Sequence, residues 1–223
     1  MCIRYDIAND QLVTWSTTIG AWVPLEDRLA GTDTYQGYEA PIVILEGAKK
    51  QLRIAHWNLI PSWTDDPNFG KKNSTFNARS EGSIGRGGGI QNTPSFRDAF
   101  RKRRCLVPVS GYYEQENGHW QRVTMPGEPV FAVAGLWEPP KFTPVPTYTM
   151  VTTVPNDLIA TVQDRMPVVL KPEDYDVWMD LETPLEVLQS IMQPLPSSLF
   201  SIEQREPSRK KPLQSGTPSL FDD

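Results

Sequence analysis

CLVPVSGYYEQENGHWQRVTMPGEPVFAVAGLW, residues 105–137, carries strand signals from end to end. Cys105-Leu106-Val107-Pro108-Val109 is an apolar run of strand composition, and Gly111-Tyr112-Tyr113-Glu114 follows it with adjacent aromatics. Asn117-Gly118 supplies the positive φ angles of a tight hairpin, and Pro126-Gly127-Glu128-Pro129 reads as the next turn. The stretch therefore predicts strands at 105–109, 111–115, 119–125 and 130–137, the last three antiparallel in series.

To either side the pattern continues, with strand-like runs at 42–46, 51–59, 147–154 and 168–170. The chain has 21 prolines and 15 glycines in 223 residues, which disfavours long helices. Short ones are predicted at 9–18 behind an Asn9 cap, at 96–103 behind a Ser95 cap, and at 155–161, 172–181 and 184–192, each opening on a proline. The fold class is α+β, with a mainly antiparallel sheet or barrel-like core and short peripheral helices. One domain is expected over residues 1–205, with a disordered tail at 206–223 and a disordered glycine-rich loop at 82–92. That loop has no following Lys-Ser/Thr, so it is not a phosphate loop.

Charge is uneven. The whole chain carries 22 Lys+Arg against 27 Asp+Glu, a formal net charge of -5, which taken alone argues against nucleic acid. Between Lys71 and Cys105, however, nine cations face two anions, a net of +7, and the remainder carries -12. A basic stretch within an acidic chain can bind a polyanion locally. The 2 cysteines are too few for a disulfide framework, and neither a signal peptide nor an apolar run of membrane length is present. A cytoplasmic location is expected, nucleoid-associated if the source is bacterial. Cys105 reads as a buried core thiol.

Cys2 differs because of its place. Removal of Met1 would leave one residue bearing both an α-amine and a thiol, the arrangement in which an amine captures an aldehyde as an imine and the neighbouring thiol closes a thiazolidine ring. An N-terminal cysteine can also attack an amide, so position alone leaves aldehyde and amide chemistry open. Glu114, on a strand rich in aromatics, is a candidate proton carrier if buried, or an ordinary outward-facing glutamate if not. Trp57-Asn58-Leu59-Ile60-Pro61-Ser62-Trp63, followed by Phe76-Asn77-Ala78-Arg79-Ser80-Glu81, interleaves aromatics with arginine as stacked bases beside a phosphate track require. Each tryptophan alone also fits core packing, and Asp164-Arg165 fits an internal ion pair.

Taken together, Met1-Cys2-x-Arg4, Trp57-x-Leu59-Ile60-Pro61-Ser62-Trp63, Asn77-Ala78-Arg79-x-Glu81, Phe96-Arg97 to Cys105-Leu106-Val107-Pro108, Gly111-Tyr112-Tyr113-Glu114 and Asp164-Arg165-Met166-Pro167-Val168 resemble the SOS response-associated peptidase (SRAP) family, in order, over residues 1–205. The resemblance implies loss of Met1 by autoproteolysis and a covalent thiazolidine between Cys2 and an abasic site in single-stranded DNA, with lyase activity as a further possibility. It implies that Cys2 is the nucleophile, that Asn77 holds its amine and the sugar, and that Glu114 moves protons. It implies that Arg4, Arg79 and Arg165 contact phosphates and that Trp63 stacks on a base. The reaction the resemblance implies needs no metal or organic cofactor, and the two His and two Cys lack the spacing of a metal site.

The departures are informative. The family's His before Asp-Arg is Gln163 here, which hydrogen-bonds but cannot titrate; His56 and His119 are the only other imidazoles. Ile3 stands for a usual Gly, Gly37-Tyr38-Glu39-Ala40-Pro41 lacks an Asn of the family pattern, and Thr64 replaces a second aromatic. The expected partner is single-stranded DNA with abasic sites; no membrane is involved, and the chain acts as a monomer. The terminal Leu220-Phe221 pair slightly resembles peptides that dock on a sliding clamp. Two other readings remain at this point: a non-covalent reader of single-stranded or modified DNA, and an N-terminal-nucleophile amidohydrolase or thiol peptidase.

Overall fold

The computed structural model describes residues 2–23, 32–82 and 88–207. Met1, the glycine-rich residues 83–87 and the tail from 208 onward, including the Leu220-Phe221 pair, lie outside the described residues. In chain order the elements are β1 (Arg4–Ile7), α1 (Asn9–Thr18), β2 (Thr32–Tyr35), β3 (Glu39–Glu46), β4 (Lys49–Trp57), α2 (Phe69–Asn73), β5 (Asn77–Arg79), α3 (Arg97–Lys102) and β6 (Arg104–Val109). There follow β7 (Gly111–Glu116), β8 (His119–Thr124), β9 (Phe131–Glu138), β10 (Thr147–Thr153), β11 (Met166–Pro167), β12 (Val169–Leu170), α4 (Tyr175–Met179), α5 (Leu185–Ile191) and β13 (Ser201–Gln204).

Two sheets form. One is antiparallel, in the order β13-β8-β7-β1-β2. In the other, β10 pairs with β4, β4 with β3, β3 with β6, β6 with β9 and β9 again with β10, so the strands close into a barrel. Closure leaves no open edge along that circuit. The sheet is mainly antiparallel, the exceptions being β4 and β5, which both run parallel to β10.

β9 is buried on both faces, which is why 130–137 reads as a continuous apolar run and not as an alternation. Val43, Leu106, Ala132 and Ala134 face a core covered by Leu12, Phe100, Trp178 and Leu188 of the helices. Ile42, Ile44, Val107 and Val133 face a second core containing Cys2, Tyr5, Trp57, Tyr112 and Tyr148.

Several expectations need correction. Strands 111–115, 119–125 and 130–137 are not three in series: β7 and β8 form the Asn117-Gly118 hairpin, with φ of 50° and 83°, but β8 then pairs with β13. The Pro126-Gly127-Glu128-Pro129 turn carries the chain across to the barrel, because the largely polar β8, between β7 and β13, suits a sheet with a solvated face, whereas the apolar β9 needs cover on both faces. Ala8, not Asn9, precedes α1, and α3 starts at Arg97 behind Phe96; neither cap uses a side chain. Only Ile159–Thr161 of the expected 155–161 helix is helical, a 3-10 turn whose Ile159 N–H donates to Asn156 Oδ1 at 2.9 Å. Part of the 82–92 loop is ordered, since Ile90–Asn92 makes a 3-10 turn with Ile90 fully buried.

Candidate active site

β1 and β7 lie side by side, with Tyr5 opposite Tyr112 and Arg4 opposite Tyr113. Alternation sends Tyr112 and Glu114 to one face of β7 and Tyr113 to the other, where its hydroxyl donates to Asp6 Oδ2 at 2.9 Å. The first face is that of Cys2. β5, held in register by Met150 opposite Asn77, likewise directs Asn77 and Arg79 to one side while Ala78 fills the helix-covered core.

Cys2 is only 1% exposed. Asn77 Nδ2 donates to its carbonyl at 2.7 Å, and its thiol lies 3.5 Å from the Arg4 carbonyl. Burial pushes the thiol pKa well above the usual range, and the Glu114 carboxylate pushes it further. Glu114 is itself 1% exposed, so the outward-facing alternative is overturned. Burial raises its carboxyl to about 7, against the lowering effect of the hydrogen bond from Gln163 Nε2 at 3.1 Å. Gln163 Oε1 accepts from Asp164 N–H at 3.0 Å, which fixes which end of the amide faces Glu114. The buried polar atoms with no hydrogen-bond partner among the described residues include Asn77 Oδ1 and the Tyr112 hydroxyl. Burial, and after it Cys2 and Glu114, raise the Tyr112 pKa.

These four residues can work as a unit. A protonated thiol needs a base to become a nucleophile. A carboxyl that titrates near neutrality can both take and return that proton. A buried carboxamide oxygen can accept from an amine or a hydroxyl.

The expected phosphate contacts divide. Arg79 is half-buried, on the face of Asn77, and has no ion pair among the described residues. Arg165 is buried and paired with Glu81 through both carboxylate oxygens, while also donating to Thr152 O at 2.9 Å; Glu81, not Asp164, is its partner. Arg4 is buried, donates to Asp33 Oδ2 at 3.1 Å and lies 4.0 Å over the Tyr35 ring, contacts that tie β1 to β2. Trp63 stands 50% exposed, held by Nε1 donation to Pro94 O at 3.1 Å and edge contact with Phe69, whereas Trp57 is a core residue. Cys105 is fully buried, as expected. Neither His56 nor His119 contacts Glu114, whose side-chain partner in their stead is Gln163. Glu81 and Asp33 were missed as site residues because ion-pair partners 84 and 29 positions away leave no local pattern.

Among the described residues no group of three His, Cys, Asp or Glu side chains could hold a metal ion, and no helix is long and apolar enough to cross a membrane.

Known proteins share this arrangement of elements. A protein from Bordetella bronchiseptica superposes with a TM-score of 0.76 at 22% identity, covering 92% of this chain and 100% of its own. One from Bacteroides thetaiotaomicron gives 0.75 at 22% identity, covering 92% of both chains. In sequence, abasic site processing protein YoqW of Bacillus subtilis (strain 168) is 33% identical over 166 residues, 68% of each chain. Abasic site processing protein HMCES of Gallus gallus is 25% identical over 217 residues, 78% of this chain and 61% of that protein. The family model for SOS response associated peptidase (SRAP) matches residues 1–206. The chain belongs to the SRAP family.

Proposed function

We propose that this protein processes abasic sites in single-stranded DNA by covalent capture through Cys2, as part of the response to DNA damage. The reading rests on the convergence of Cys2, Asn77, Glu114 and Gln163 in one buried site, and on relatives named for abasic site processing. Hydrolysis of the Met1–Cys2 peptide bond consumes one water and frees the α-amine. That amine adds to the aldehyde carbon of the ring-opened sugar, and water leaves as the imine forms. The thiol then adds across the C=N bond: sulfur bonds to carbon, the thiol proton ends on nitrogen, and the product is a thiazolidine. Glu114 serves as the proton carrier in both steps. Asn77 fixes the Cys2 carbonyl with its nitrogen and offers Oδ1 to the amine or to a sugar hydroxyl. Arg79 meets a flanking phosphate, Trp63 stacks on a base, and Arg165 exchanges Glu81 for phosphate at the rim.

The test is incubation with single-stranded DNA bearing one abasic site, followed by a denaturing gel. A heat-stable shifted band that is absent with Cys2→Ala is expected. Binding without a band in the parent protein would replace capture by non-covalent reading.

A further inference from the structure

A cavity of about 480 Å³ opens where β4 ends and β5 begins, within the usual span of about 300–1,000 Å³ for small-molecule sites. Gln36, His56, Asn58, Lys71 and Phe76 are among the residues that line it. Two of its walls lead directly to the candidate active site. Gln36 N–H donates to the carbonyl of Ile3, next to Cys2, at 3.3 Å. Phe76 immediately precedes Asn77, and its carbonyl accepts from Trp57 Nε1 at 2.7 Å, which fixes the segment.

The polar groups in the cavity are not equally available. The Asn58 amide holds the wall together: oriented by its neighbours, it donates to Thr75 Oγ1 and Gly70 O, both at 3.1 Å, and accepts from Lys71 N–H at 3.2 Å. The His56 imidazole has no hydrogen bond to any described residue. Burial lowers its pKa, so at neutral pH it presents one donor and one acceptor nitrogen. Among the described residues no acidic side chain lines the cavity, and Lys71 is the one lysine or arginine that does. A polyanion would need more positive charge than this. A planar base with a donor and an acceptor on its edge and one attached phosphate matches the set.

We propose that this cavity is a nucleobase subsite that takes the base of one nucleotide adjacent to the lesion, with Phe76 as its aromatic contact, His56 hydrogen-bonding the base edge and Lys71 meeting the phosphate. The inference rests on the proposed capture of single-stranded DNA and specifies where the strand goes beside Cys2.

The test uses non-covalent binding, so that it does not depend on crosslinking. Cys2→Ala protein is titrated with fluorescent single-stranded DNA carrying a tetrahydrofuran abasic analogue, the next nucleotide on the 5′ or the 3′ side being either intact or a second tetrahydrofuran. Loss of the base on one side is expected to weaken binding about tenfold, the scale of one stacked base. Adding His56→Leu, which fills similar space without hydrogen-bonding atoms, should shrink that loss to less than about threefold; His56→Gln, which restores a donor and an acceptor, should recover it. Equal base dependence with and without His56→Leu, or none on either side, overturns the subsite. A covalent band from wild type in the absence of base dependence removes the subsite alone; base dependence without a band removes covalent capture alone.

Discussion

Glu114 combines near-complete burial with a proton released at about 7, and the two facts have one cause, since burial disfavours the carboxylate. As the proton carrier it should control rate: Glu114→Gln is expected to slow crosslinking by about 10²-fold and to remove an inflection near pH 7 from the pH–rate profile, read by timed gel quenching. It should also leave a thermodynamic trace. The folded carboxyl keeps its proton to about 7, whereas the ordinary value is 4.5, so folding takes up a proton between those values. Stability therefore falls as pH rises through that window, and Glu114→Gln should abolish this component. In calorimetry the variant's Tm relative to wild type is expected to climb from pH 4.5 to 7 and to level off above. Gln163 holds Glu114 but cannot exchange a proton, so ring reopening should be slow in this protein. Gln163→His is expected to speed reversal of the crosslink, measured by transfer to excess fresh abasic DNA; an unchanged reversal rate would show that the amide is no impediment. Cys2 and Glu114 were legible in the sequence because one is set by chain position and the other by its aromatic strand. The engagement of Arg4 and Arg165 was not, because their acidic partners come from distant segments.

At the scale of elements, the strands with strong apolar or turn signals, β3, β4, β6 to β10, were predicted within a few residues. β1, β5 and β13 were not read as strands, being three or four residues long and partly polar; they exist because neighbouring strands offer them hydrogen-bonding edges. Two of these, β1 and β5, place Cys2 and Asn77, so the parts of the fold that build the site were the hardest to read. The crossing of β9 into the barrel depends on close approach at Gly135, which faces Cys105 in β6 and Met150 in β10. A Cβ there would meet Val107 Cγ2 at 2.7 Å and Cys105 Sγ at 2.8 Å, both on the tightly packed second core. Gly135→Ala is expected to cost about 1–3 kcal/mol in urea unfolding, the usual range for overpacking; an unchanged midpoint would mean that β6 and β9 can separate freely.

Over the whole molecule, the net charge of -5 first argued against nucleic acid, and the basic stretch at 71–105 reversed that reading. Folding narrows it again. Arg104 is buried and donates to the carbonyls of Phe100, Trp178 and Asp180, and Arg103 pairs with Glu138 at 2.6 Å. Lys71, Arg79, Arg101 and Lys102 keep cations without an ion pair among the described residues. Three or four phosphate contacts correspond to a slope of log K against log salt of about -2 to -3 for single strands. A slope of about -6 or steeper would require a broader DNA surface than these residues provide. Charge pattern and motif order were legible in the sequence, whereas the loss of Arg103 and Arg104 to internal bonds required the packed helix and barrel. Whether Cys2 captures the aldehyde is decided most directly by the intact mass of the purified protein–DNA adduct. The expected mass is that of the chain lacking Met1 plus the abasic strand, less one water, and it should be absent with Cys2→Ala. An adduct that retains Met1, or that persists with Cys2→Ala, would contradict capture at the terminal aminothiol.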